Sequence, residues 1–172
     1  MTKLSAVQQK FILHWGEMGT RWGINRTVAQ IHALLYLSPR PLTAEDIAGA
    51  LGVARSNVST SLKELQGWGI IRLVHVMGDR RDHFESMRDV WDMFRQVLDE
   101  RKKREIDPTL DVLRQCAEAA QKEKDPHTHE RLAAMRHFFE TMSGWYDQVR
   151  ALPTPAVVRF VSVGDKLRKL FH

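Results

Sequence analysis

Apolar positions along the chain fall into stretches of helical period with one β-patterned interruption. From about Ser5 to Met18, Val7, Phe11, Trp15 and Met18 recur at helical spacing and predict an amphipathic helix. After "TRWGIN" a second helix is expected, with Val28, Ile31, Leu34 and Leu35 inward and Pro39 and Pro41 ending it. Thr43 reads as the N-cap of a short third helix that stops near Leu51-Gly52, with Glu45 and Asp46 in the first turn, where the helix dipole favours acids. Beyond a tight turn at Gly52-Val53, a fourth helix aligns Val58, Leu62 and Leu65 in one stripe and ends at Gly67 and Gly69. The β-branched run "IIRLVHVM" from Ile70 to Met77, the turn Gly78-Asp79 and the returning "RRDHFES" predict a hairpin.

The remainder is helical in pattern. Val90, Trp91, Phe94, Val97 and Leu98 form a stripe on a helix from about Arg88 to Arg104. Asp107 and Pro108 start a segment with Leu110, Leu113 and Cys116 on one face, either a new helix or a kinked continuation of the one before. From Thr128 to Gln148, and on to Val149, Leu132, Met135, Phe139, Met142, Tyr146 and Val149 repeat like a short coiled-coil seam. The tail from Ala156 to Phe171 gathers Val157, Phe160, Val161, Leu167 and Phe171 on one side.

Composition narrows the classes. With 172 residues, 43% hydrophobic and 27% charged, the chain has the balance of an ordinary globular protein. The apolar runs are too short to span a bilayer, and "MTKLSAVQQK" carries no signal-peptide apolar region, so a cytoplasmic protein with no membrane partner is expected. Cys116 is the single cysteine, which excludes an internal disulfide framework and suits a reducing compartment. A net charge of +5 permits a polyanionic partner.

The fourth helix raises a question of chemistry. In "LGVARSNVSTSLKELQGWG" its front carries Ser56, Asn57, Ser59, Thr60 and Ser61, with no acid before Glu64. Hydroxyls and carboxamides are mediocre helix formers, because they compete for backbone hydrogen bonds. With Val58, Leu62 and Leu65 inward, Ser56, Asn57, Thr60 and Lys63 share the outer face, and Arg55 and Ser59 lie at its margins. Such side chains suit base edges, and the two cations suit phosphate or guanine. At the hairpin tip "MGDRRD", Arg80 and Arg81 project where a narrow minor groove would attract them, and Asp79 or Asp82 is placed to hold one guanidinium and so aim the other. Each feature alone suits a solvated surface. Short helix, tight turn, second helix and hairpin in that order point to a winged helix-turn-helix.

The same residues carry a family resemblance. "RPLTAEDIAGALGVARSNVSTSLKELQGWGIIRLVHVMGDRRDHFES" followed by "DVWDMFRQVLDERKKREIDPTLDVLR" resembles the GbsR/MarR family of bacterial transcriptional regulators, over roughly Trp22 to Cys116. The resemblance implies a mainly α fold with a small β-hairpin wing, in a homodimer that binds double-stranded DNA and usually represses. Residues 26–87 would form the DNA-binding domain, with Arg55, Ser56, Asn57, Ser59, Thr60 and Lys63 on its recognition helix and Arg80 and Arg81 on its wing. Residues 1–25 and 88–172 would supply helices for dimerisation and regulation. Ala54 departs from the pattern, standing where such proteins often carry a capping Ser, and nothing after about Lys122 matches a motif.

Other chemistry finds little support in the sequence. His127 and His129 are two apart, Cys116 lacks a CxxC partner, and no zinc spacing occurs, so no metal or cofactor is expected. Nucleophile elbows, Walker loops and dinucleotide glycine patterns are absent, so no enzymatic activity is expected. Two alternatives stay open: a winged helix used only for protein interaction, and a sensor of a small cation such as a quaternary ammonium compound.

Overall fold

The computed structural model describes residues 4–159, which fall into two compact units divided between Gln96 and Val97. The first contains helices α1 (Ala6–Arg21) and α2 (Arg26–Leu37), strand β1 (Leu42–Thr43), helices α3 (Ala44–Leu51) and α4 (Arg55–Gly67), and strands β2 (Ile71–Val74) and β3 (His83–Ser86). Helix α5 (Val90–Arg101) runs across the division. A π-helical turn (Lys102–Ile106), α6 (Asp107–Lys122) and α7 (Pro126–Arg150) follow it. The architecture is mainly α with a small antiparallel sheet, the winged-helix arrangement expected from the pattern.

Local chemistry starts the helices. Ser5 Oγ accepts from Gln8 N at 3.2 Å while Ser5 N donates to Gln8 Oε1 at 2.9 Å, a capping box that satisfies two orphan groups of α1. Thr43 and Asp46 make the same reciprocal pair at α3, both bonds at 3.1 Å. Gly52 ends α3 in the left-handed region at φ +66°, which turns the chain directly into α4.

Helix α2 is the centre of the first unit, burying Val28, Ala29, Ile31, His32, Ala33, Leu34 and Leu35. Helix α1 meets it through Ile12, Gly16 and Gly19, not through the expected stripe. A Cβ on Gly19 would stand 2.5 Å from Ala29 Cβ, and one on Gly16 2.7 Å from Gln30 Cγ, so the two glycines set the approach of the helices. Val7 is left 79% exposed and Trp15, stacked on Phe11 at 5.4 Å, remains exposed too. The apolar stripe of α1 is thus not what packs on α2; the glycines, which contribute closeness and not apolar area, make that contact.

The sheet has the order β1-β3-β2, with Leu42 opposite Phe84 and Arg72 opposite Glu85. Two-residue β1 has no readable periodicity and was not foreseen. Strand β2 is also shorter than "IIRLVHVM", because the ladder stops at Val74 opposite His83. Beyond it, Asp79 N donates to Val76 O at 3.1 Å and Arg81 N to Asp79 Oδ1 at 3.0 Å, so local turn bonds replace cross-strand ones.

In the second unit the choice at Pro108 is settled as a continuation. Proline has no N–H for the carbonyl four residues back, and the chain widens there into the π turn, in which Asp107 N donates to Lys102 O. Helix α6 buries Leu110, Ala117 and Ala120, whereas Cys116 is exposed. The buried face thus includes the small Ala117 and Ala120 and leaves out Cys116, which shares a face with Leu110 and Leu113 in the apolar pattern. Asp99 ties α5 to α7, accepting from Tyr146 Oη at 2.7 Å and Arg150 Nε at 2.6 Å. Burial and this carboxylate push the Tyr146 hydroxyl pKa upward. Residues 154–159 are helical, and the rest of the expected tail helix lies outside the described residues.

His32 is buried on α2 with Nε2 3.3 Å from Ser86 Oγ on β3, and burial lowers its pKa from 6.5 to about 4. Folded protein therefore keeps a neutral imidazole between pH 6.5 and 4 while the unfolded chain takes up a proton, so stability is lost as pH falls through that window. Denaturant unfolding of the wild type should weaken by roughly 1–2 kcal/mol more than that of His32→Leu between pH 7 and pH 5. Equal losses would show that this imidazole does not set the acid limit.

Candidate nucleic-acid interface

Helix α4 turns two chemically different faces in two directions. Val58, Ser61, Leu62 and Leu65 are buried, and α4 packs on α2 and α3. Arg55, Ser56, Asn57, Ser59, Thr60 and Lys63 are all exposed on the other side. Ser61, the serine left out of the outward set, is one of the buried residues. Thr60 Oγ1 donates to Ser56 O at 3.1 Å, which leaves its lone pairs free to accept.

The cations of this surface are not equivalent. Arg55 Nη1 lies 2.6 Å from Glu45 Oε1, so α3 holds the guanidinium at the entering end of α4. Sequence reading took Glu45 only as a first-turn acid, and nothing in the spacing announces a pair formed across the helix-turn-helix. Lys63 is exposed and makes no ion pair among the described residues.

On the wing Asp79 takes Arg81, with Arg81 Nε 2.9 Å from Oδ1 and Nη2 2.5 Å from Oδ2. Hydrogen bonds from the Arg81 side chain and backbone hold the Asp79 carboxyl well below the usual carboxylate range. His83 Nε2 stands 3.5 Å from Asp79 Oδ2, and its Nδ1 lies 2.9 Å from Arg81 O, so the knot is anchored at the start of β3. Arg80 points to solvent and makes no ion pair among the described residues. One wing arginine is held and the other is aimed outward. At the base of the wing Arg72 and Glu85 pair across the strands, Nε to Oε1 at 2.6 Å.

A helix with a polar, acid-poor outer face stands beside a hairpin whose tip extends Arg80, an arrangement with the donors and acceptors that contact with an anionic surface needs. Residues 22–82, which hold the outer face of α4 and the wing tip with Asp79, Arg80 and Arg81 but stop before His83 and Glu85, match the profile of the MarR family. The winged-helix segment is similar to the MarR family over those residues. A Bacillus subtilis (strain 168) protein, YvaV, provisionally described as an HTH-type transcriptional regulator, is 23% identical over 94 residues, or 55% of this chain. The chain spans about half the length of that curated relative, 53%. A solved structure described as a transcriptional regulator superposes with a TM-score of 0.70 at 22% identity, covering 91% of this chain and 99% of its own, and shows the same fold. Among the described residues no group of three or more histidine, cysteine or acidic side chains is placed to hold a metal, and no described helix is long and apolar enough to cross a membrane.

At the start of α4, Ala54 sits at the N-cap with extended backbone (φ −63°, ψ 140°) and no side-chain cap bond. Ala54→Ser supplies the missing acceptor without changing the backbone, and should stabilise the protein by about 0.5–1 kcal/mol. Thermal unfolding would report it as an increase of a few degrees in Tm; an unchanged Tm would mean that water caps α4 equally well.

Proposed function

We propose that the protein is a sequence-specific DNA-binding transcriptional regulator that acts as a homodimer, represses by occupying its promoter, and belongs to the GbsR/MarR family that the combination of "LGVARSNVS", "LQGWGI", "GDRRDHFE" and "EIDPTL" suggests. The observation that carries this reading is the acid-free exposed face of α4 from Arg55 to Lys63, set beside a wing with an outward Arg80. Ser56, Asn57, Ser59 and Thr60 read base edges in the major groove, Arg55 and Lys63 serve phosphate or guanine, and Arg80 and Arg81 serve the adjacent minor groove. Residues 26–87 form the DNA-binding domain, and any effector acts by altering the spacing of the two recognition helices.

Two uncovered apolar stripes support self-association through the segments before and after that domain. On α1 it is Val7 and Trp15; on α7, which buries no residue, Met135, Phe138, Met142 and Trp145 recur at coiled-coil spacing and are each about half exposed. A second copy would bring the two half-sites one helical turn, about 10 bp, apart.

Fluorescence-anisotropy titration against duplex enriched from a random pool, with a scrambled duplex as control, tests the reading at two salt concentrations. Lys63→Ala should weaken binding to all sequences and flatten the salt slope by about one unit, whereas Asn57→Ala should cost about 1–3 kcal/mol and relax preference at one base pair. Wild-type behaviour of both variants on every duplex would refute the interface. Met142→Glu should shift sedimentation toward monomer and weaken operator binding in parallel; an unchanged dimer would place the subunit contact elsewhere.

A further inference from the structure

The tip of the wing carries an apolar pair that neither the base-reading face of α4 nor the wing arginines use. Met77 is 102% exposed, the highest value among the large hydrophobic residues described, and Val76 beside it is 40% exposed. The turn that presents them is well fixed. Gly78 takes φ +84°, Asp79 N donates to Val76 O at 3.1 Å, and the Asp79 carboxylate locks Arg81. Arg80, three positions after Met77, is exposed on the same turn.

A cation and a flexible thioether on one rigid tip make a specific chemistry. The guanidinium follows the negative potential of a narrow minor groove. An apolar side chain carried in with it can enter between base pairs, offsetting the cost of unstacking by the extra surface the kinked duplex brings into contact. Methionine suits the task, because three rotatable bonds and a polarisable sulfur adapt to an irregular slot. We propose that Met77 is a minor-groove wedge, partly unstacking one base step under each wing and bending the DNA. Selectivity at that step then comes from deformability and favours a flexible pyrimidine–purine step that no side chain reads directly. The inference rests on the DNA-binding reading above and adds a mode of contact to it.

The test uses the full-length protein and a duplex enriched from a random pool by the wild type, with 2-aminopurine placed at successive flanking positions and fluorophores at both ends. Wild-type binding should raise 2-aminopurine emission at one step on each flank and shorten the end-to-end distance. Met77→Ala should abolish both signals and weaken binding by roughly tenfold, and Met77→Leu should restore them. If Met77→Ala keeps the emission and the bend, or if the wild type binds without unstacking any step, the wedge is overturned while DNA binding stands. If no duplex is enriched at all, the DNA-binding reading falls and the wedge with it.

Discussion

Burial of α2 is the constraint from which the outward face of the first unit follows. Seven of its side chains are withdrawn from water, and α1, α3, α4 and β3 all pack against it. Because Val58, Leu62 and Leu65 are committed to the core, the polar set on α4 has one direction left. His32, neutral and facing Ser86, ties the base of the wing to the same helix. The orientation of α4 and of the hairpin is therefore decided by the core behind them.

Electrostatics then grades the cations on that scaffold. Arg55 and Arg81 are each held by a carboxylate of the same unit, Glu45 and Asp79, whereas Lys63 and Arg80 extend without an ion pair among the described residues. Exposed ion pairs contribute at most about 1 kcal/mol, so a phosphate could take Arg55 from Glu45 at small cost. The bidentate Asp79–Arg81 knot is geometrically better and serves to set the shape of the wing loop. Charge counting alone would have treated all four groups as equivalent.

Where sequence reading failed, the physical cause differs by element. On α1 the contact with α2 runs through Gly16 and Gly19, residues with no hydrophobic signal, so the stripe of Val7, Phe11, Trp15 and Met18 did not reveal it. On α6 the burial of Ala117 was not read from the pattern, which grouped Leu110, Leu113 and Cys116, because a small side chain at a close helix contact weighs less in an apolar pattern than a larger one. The wing strands ended early because Asp79 offers the backbone an alternative set of partners. The ion pair of Arg55 with Glu45 joins two helices across a turn and has no local periodicity to reveal it.

The amino-acid sequence by itself determined the element order, the Thr43 cap with its acidic first turn, the division of α4 into buried Val58, Leu62 and Leu65 and outward Ser56, Asn57, Thr60 and Lys63, and the presence of a basic turn. These are properties of period and local hydrogen bonding, which act within a few residues. Tertiary structure alone decided how closely α1 approaches α2, that Leu42 and Thr43 add a strand to the hairpin, which guanidiniums are held and which are free, and that the helix runs on past Pro108 through a π turn. The helix approach and the added strand depend on groups brought together from distant positions, and their energies exist only once the core has fixed those distances; the Asp79–Arg81 knot and the π turn are local, but which neighbour each group takes is not written in the apolar period.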